Sequence, residues 1–545
     1  LNAKNSAGSG LRNWARAAFA VVLLLAIAVR IHLLGIPLER DEGEFAYIAQ
    51  LMLEGVAPYK LAYVIKLPGT PALYALAMLF FGQTPTAIHL ALLIANLIAV
   101  LLLFILARQW FGEGVALVAG VTYALMSLSW CCAGMASHAT QFLVPAVLGG
   151  MLLLGRGLRT NSLPVIFVGG LLFGFSFLIK QQGIPFSAFG AYYVICQELK
   201  GWREHFSGIA RKLSAYALGW FLPFAILCLV EWHAGVFQRF WFWSFTVPGN
   251  QWTAWSTAEG NLSIYFHWIQ ASRDLLFWLA GAGALVAAWW MPLLRPHRTI
   301  FLAFCAAGFA ATTLGLRFNN HYFVMSLPGL SVLIGLGVVE LNRLLRGRNL
   351  PVWVSWMPAA AFLAICALFV QTNYAYLAGD SAELVAEKVY LHNPFREAAV
   401  MAAYIRANSS ADSRVAVLGS EPEIYFLSHR HAATGHVSTY LMVDERPWSH
   451  RLQAEMREEI LAAEPEYIVL VKNNFSWLNP AAAEADLIDP ILRLTHDKYK
   501  IVGLAISPAS LGSPVYFWGA DAGAPHPEFP ADSSWLGLYR RVKSS

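Results

Sequence analysis

The feature that most constrains this chain is a repeated apolar run. About eleven stretches, most of roughly 18 residues or more, carry almost no charge: 14–34, 85–107, 113–131, 140–156, 163–179, 184–199, 213–233, 274–291, 299–316, 321–341 and 352–372. A helix needs about 20 such residues to cross some 30 Å of hydrocarbon. Inside that hydrocarbon each backbone N–H and C=O must find its partner within the protein. The runs therefore predict an α-helical polytopic membrane protein of about eleven spans, with room for up to thirteen. Composition agrees. Hydrophobic residues make up 57% of the chain and charged ones 13%, whereas a soluble domain carries about 25% charged residues. No basic stripe with interleaved aromatics is present, which argues against nucleic acid as a partner. The six cysteines lie in or beside apolar runs, so neither a disulfide framework nor a zinc motif is expected.

The placement of cations sets the orientation. Alternating the spans puts fifteen Lys and Arg residues in one set of loops. Eight fall in the other: Arg30, Arg40, Lys60, Lys66, Lys180, Arg239, Arg273 and Arg317. The bias favours a cytoplasmic N-terminus. An odd span count then puts everything after about residue 372 on the outer face of the inner (plasma) membrane. The first run, Phe19 to Val29, reads as an uncleaved span because no small-residue cleavage site follows it.

Two parts follow. Residues 1–379 form the membrane domain, with a first outer loop at 35–84. Within that loop, Thr70 to Phe81 is too short to span and reads as an interfacial helix. The outer loop at 234–273 carries Phe237, Phe240, Trp241, Trp243, Trp252, Trp255 and Trp268. It reads as an interface belt or as a sugar-stacking or lipid-guiding surface. Residues 380–545 regain charge and lose long apolar runs. Pro394–Asn408 and Pro447–Ala463 have helical spacing, and Arg414–Gly419 and Tyr467–Lys472 read as buried strands. That is a βαβ pattern, so a soluble α/β domain is expected.

The chemistry-bearing residues gather in the outer loops. Glu39-Arg40-Asp41-Glu42-Gly43-Glu44 packs several carboxylates beside a span. Asp41, Glu42 and Glu44 are the candidate catalytic acids. Asp41 with Glu44 also fits a helix capping box, with Gly55 as the stop. Lys66 sits where the chain re-enters apolar sequence, suited to a headgroup or a lipid phosphate. Lys180, in Phe177-Leu178-Ile179-Lys180-Gln181-Gln182-Gly183, and Arg317 and His321, in Arg317-Phe318-Asn319-Asn320-His321-Tyr322-Phe323, end two other runs on the same face. Arg grips phosphate with two prongs, and His adds a donor. Lys66, Arg317, His321 and Lys180 are therefore the candidate phosphate ligands. The adjacent Tyr59, Tyr63 and Tyr322 are candidate substrate contacts.

The segment RDEGEFAYIAQLMLEGVAPY followed by IKLPGTPALYAL resembles the first outer loop of the GT-C membrane glycosyltransferases. The branch is family 39 and its neighbours, the protein mannosyltransferase-like and aminoarabinose-transferase-like enzymes. FLIKQQG, RFNNHYFVMSLP and LGSEPEIYFLSHRHAATG resemble family segments too. The resemblance implies a polyprenyl-phosphate sugar donor, inversion at the anomeric carbon and an acidic residue at the active centre. By position Asp41 carries over as the catalytic aspartate, Glu42 as its acidic neighbour and Lys66 as a phosphate ligand. Some relatives have Glu-Lys-Pro-Pro where this chain has Ile65-Lys66-Leu67-Pro68. The glutamate able to bind a metal there is missing, so no metal site carries over and no cofactor is assigned. A lipid-linked donor also suits the compartment, because nucleotide sugars are kept in the cytoplasm. The acceptor stays open among protein, lipid headgroup and glycan. A lipid or solute transporter is the alternative reading, disfavoured because no inverted repeat and no matching pair of broken spans is visible.

Overall fold

The computed structural model describes residues 2–199, 206–249, 255–348, 350–391, 393–440, 442–443, 447–477, 484–507, 513–530 and 532–542. Trp252, and Lys200 and Arg203 from the set of fifteen cations, lie outside them. The N-terminal part is helical. Its first nine helices are α1 (Asn2–His32), α2 (Arg40–Leu53), α3 (Gly69–Phe81), α4 (Pro85–Phe111), α5 (Glu113–Met126), α6 (Ala139–Thr160), α7 (Leu163–Ile179), α8 (Ile184–Glu198) and α9 (Phe206–His233).

Among the described residues, six helices are long and apolar enough to cross a membrane: 15–32, 85–111, 139–160, 207–233, 320–346 and 352–372. A seventh span arises if the pair Ser256–Ala271 and Leu275–Trp290, bent by 106°, counts as one. Other expected runs form shorter apolar helices, α5 with 14 residues and α7 with 17. The stretch 234–273 differs from expectation. It is largely helical, and Trp255–Ala271 forms a 17-residue helix.

Small residues set how closely the spans approach. A Cβ on Gly170 or Gly174 would lie 2.3 or 2.2 Å from the carbonyl oxygens of Tyr216 or Trp220 on α9. Glycine there lets the backbones of α7 and α9 touch. The start of α3 is seated on the end of α7 in the same way. A Cβ on Gly69 would meet the Leu178 carbonyl carbon at 2.4 Å. Thr70 Oγ1 donates to Ile179 O at 3.1 Å and Gln181 Nε2 to Ile65 O at 2.8 Å. These contacts hold Lys66 and Lys180, distant in sequence, on one wall.

The C-terminal part carries a six-stranded mixed sheet in the order β2-β1-β3-β6-β4-β5. Its strands are β1 (Arg414–Leu418), β2 (His431–Ala432), β3 (Tyr467–Lys472), β4 (Tyr499–Ser507), β5 (Val515–Trp518) and β6 (Ser534–Arg541). The parallel β1–β3 pair with the Ser449–Ala463 helix between them is the expected βαβ unit. The antiparallel half, β4 to β6, was not foreseen. This part grips the loop at 35–84. Arg40 Nε donates to Ser420 O at 2.7 Å and its Nη2 to Phe475 O at 2.9 Å. Tyr63 N donates to Gly435 O at 2.7 Å, and Ala432 N to Tyr47 Oη at 2.8 Å. Gly43 is essential to the fit, because a Cβ there would lie 2.6 Å from Glu423 N.

Candidate active site

Helix α2 delivers the acids, and its register decides their roles. The expected capping box of Asp41 with Glu44 is not the one formed. The helix begins at Arg40, with Glu39 as N-cap. Glu39 accepts from Glu42 N, and Glu42 accepts from Glu39 N. The two-residue shift spends Glu42 on the cap. Its other oxygen contacts His89 Nε2 at 3.2 Å and accepts from Ser137 N. Glu42 is fully buried and structural in its contacts. The same shift frees Asp41 from capping.

Asp41 instead sits at a crossroads. Lys66 Nζ donates to Asp41 Oδ1 at 2.7 Å and to Glu44 Oε1 at 3.0 Å. Asp41 Oδ2 lies 3.7 Å from His138 Nδ1. The His138 ring stacks on His321 with centroids 3.9 Å apart. Lys180 Nζ lies 3.3 Å from His321 Nε2 and 4.2 Å from the centre of the Tyr322 ring.

Two cavities meet at this aspartate. The first, of about 360 Å³, is lined by Lys66, Lys180, Gln181, Arg317, Tyr322 and Tyr440 as well as Asp41. The second, of about 690 Å³, lies on the side of His138 and the C-terminal part. Arg40, Asp41, Asn319 and His321 line both. Tyr59 and Tyr63 line neither. Tyr59 donates to Lys66 O and Tyr63 to Glu459 Oε1, so each braces the loop rather than facing open space. Glu44 also stays off both walls and meets only Lys66.

Electrostatics separate the three charged partners. Burial opposes ionisation of Asp41, but Lys66 and then His138 outweigh it and hold the carboxyl well below its ordinary range. Burial dominates for Glu44, which is pushed up despite Lys66. Asp41 thus takes the charge and Glu44 the proton when one of them must be neutral. Burial also opposes charge on Lys66, but Asp41 and Glu44 prevail and raise it well above the lysine range. Lys180 is the opposite case. Burial pushes it down to about 7, and Asp41 offsets only part of that. Glu39 is raised by burial to about 7.

Asp41, His138 and His321 each offer a ligand atom, all within 4.8 Å of one another. One carboxylate and two imidazoles suit a borderline divalent ion, and His138 Nδ1 is buried without a hydrogen-bond partner. The donor set fits a metal through Asp41 Oδ2, with Lys66 retained on Oδ1. Sequence reasoning missed His138. Its signal was slight: a single histidine opening the apolar run of α6, 97 residues after Asp41 in the chain.

The chain has the fold of the GT-C membrane glycosyltransferases. Residues 66–227 match the family model described as dolichyl-phosphate-mannose-protein mannosyltransferase, so the likeness is to family 39 and its neighbours. The structure is similar to that of ArnT from Cupriavidus metallidurans in the apo state, at 15% identity over 98% of each chain and a TM-score of 0.58. It is also similar to the same protein bound to undecaprenyl phosphate, at 17% identity, 87% of this chain, 95% of that chain and a TM-score of 0.56. The Archaeoglobus fulgidus oligosaccharyltransferase in complex with Zn and sulfate matches at 13% identity, 94% of this chain, 74% of that chain and a TM-score of 0.54. A comparison with curated protein sequences returns no match.

Proposed function

We propose that this chain transfers a sugar from a polyprenyl-phosphate donor to an acceptor hydroxyl, with inversion, on the outer face of the inner membrane. The observation that carries the reading is Asp41 in the wall between two cavities, one of which gathers Lys66, Lys180 and Arg317. The undecaprenyl phosphate bound to the similar ArnT supports a lipid donor of that kind. Three cations around one small cavity suit a phosphate, and they are built in before any ligand arrives. Preorganised charge of this sort costs no reorganisation during reaction.

The step runs as follows. The donor phosphate lies against Lys66, Lys180 and Arg317, with His321 and Tyr322 beside it. The acceptor enters from the opposite cavity. Its oxygen attacks the anomeric carbon as the bond from that carbon to the phosphate oxygen breaks. The phosphate leaves with the electron pair, and the cations neutralise it. The acceptor proton passes to Asp41. A carboxylate held below its usual range is a weak base, so the proton moves late, once the sugar carbon is cation-like. Attack from the side away from the phosphate inverts the centre. Tyr59, Tyr63, Glu42 and Glu44 act through position.

The test is Asp41→Asn in the purified protein with a polyprenyl-phosphate-linked sugar. Transfer should be abolished while the protein still accumulates folded, because the Glu39–Glu42 box still starts α2 and Glu44 still pairs with Lys66 at 3.0 Å. Turnover near the wild-type rate would remove Asp41 from the chemistry.

A further inference from the structure

The second cavity shows what it is built to hold. One wall is a single face of the Trp255–Ala271 helix: Asn261, Ile264, Tyr265 and Trp268 recur at the i, i+3, i+4, i+7 spacing of one side. The facing wall comes from the stretch leading into the C-terminal part and from that part itself, with Tyr390, Asn393 and Phe475. The first wall falls in the aromatic stretch, with Trp268, whose sequence reads as an interface belt or a sugar-stacking or lipid-guiding surface.

The two cavities differ in charge. The first gathers three cations beyond the shared residues. The second adds no lysine or arginine among its described lining residues. The shared Arg40 is the one arginine of its described lining, and it donates to the carbonyls of Ser420 and Phe475. The acids Glu39 and Asp41 both face this side. An anionic headgroup placed here would meet two carboxylates, where the first cavity offers it three further basic side chains.

What the walls do offer is amides and aromatic rings. Asn261 donates through Nδ2 to Arg317 O at 2.8 Å, and Asn320 accepts at Oδ1 from His321 N at 2.8 Å. The opposite end of each amide is the end a ligand hydroxyl can meet. Trp268 is half-buried, and Phe475 is exposed. Rings of this kind pack against the C–H faces of a pyranose. The volume of about 690 Å³ lies within the usual range of ligand sites, about 300–1,000 Å³.

We infer that the second cavity binds a neutral glycan, so that the acceptor hydroxyl presented to Asp41 is itself a sugar hydroxyl. This rests on the glycosyl-transfer reading above and names the acceptor class for that same site.

The experiment uses the full chain in phosphatidylcholine nanodiscs and saturation-transfer NMR. The probes are maltotriose, mannotriose and galactotriose at millimolar concentration. Glucose 6-phosphate and a Ser/Thr-rich peptide serve as rivals. Undecaprenyl phosphate binding is measured in parallel. At least one neutral trisaccharide should show saturation at its ring C–H protons. That signal should fall about fivefold or more in Trp268→Ala and also fall in Asn261→Ala, with undecaprenyl phosphate binding retained in both. The inference is overturned if no neutral trisaccharide gives a signal, if neither variant weakens it, or if the phosphorylated sugar or the peptide binds in its place. Failure of the wild-type chain to bind undecaprenyl phosphate would instead count against the transfer reading itself.

Discussion

Replacing Lys66 by alanine removes the cation between two carboxylates. Its ammonium lies 2.7 Å from Asp41 and 3.0 Å from Glu44, whose side chain is only 2% exposed. Removing one partner of a buried pair costs about 3–5 kcal/mol, because the other charge is stranded. Asp41, at 24% exposed, recovers some hydration, so most of that cost falls on Glu44. Adding Glu44→Gln removes the stranded carboxylate and should restore most of the lost stability. It should not restore catalysis. If Lys66 neutralises the leaving phosphate, its loss costs about 2.7–4 kcal/mol of transition-state stabilisation, on the order of 10²–10³ in rate. The double variant should therefore melt near the wild type yet turn over at the rate of Lys66→Ala. Thermal unfolding in detergent and single-turnover transfer from a lipid-linked sugar measure the two quantities on the same samples. Recovery of both would mean that Lys66 only holds the loop. No recovery of stability would refute the electrostatic account of the pair.

Undecaprenyl phosphate binding should weaken as pH rises through about 7, because Lys180 loses its proton there in the free protein and only its charged form attracts the anion. Below that pH the affinity should level off, and an affinity flat from pH 6 to 9 in isothermal titration would contradict this. Gly43→Ala should destabilise the chain by about 1–3 kcal/mol, since its Cβ meets the Glu423 backbone. Limited proteolysis should then release the C-terminal part sooner than in wild type. A reporter fused after Gly379 should be active outside the cytoplasm, as the cation bias implies. Cytoplasmic activity would invert the site assignment.

Much of this architecture could be read from the residues because two signals were local. Apolar length marked the spans. Alternation and turn residues marked β1, β3 and the helices around them nearly to the residue. Register was harder. Asp41–Glu44 and Glu39–Glu42 are both acid pairs three apart, and only the start of α2 at Arg40 decides which pair caps. That choice follows from tertiary contacts: Arg40 is tied to Ser420 and Glu42 to His89. His138 was invisible for a related reason. Its partners lie far along the chain, and no period in the sequence records them. The candidate cations were found because each runs against the charge bias of its face, which needs no knowledge of contacts.

The grip of the C-terminal part on the first loop has a consequence for biogenesis. Arg40 waits for Ser420 and Phe475, partners 380 and 435 residues downstream. Tyr63 waits for Gly435. Loop closures of that span are slow to form and come late. Every membrane helix can be inserted while the walls around Asp41 are still incomplete. An unfinished chain is therefore inserted but unassembled, and the walls around Asp41 are completed only when synthesis of the last strands is done.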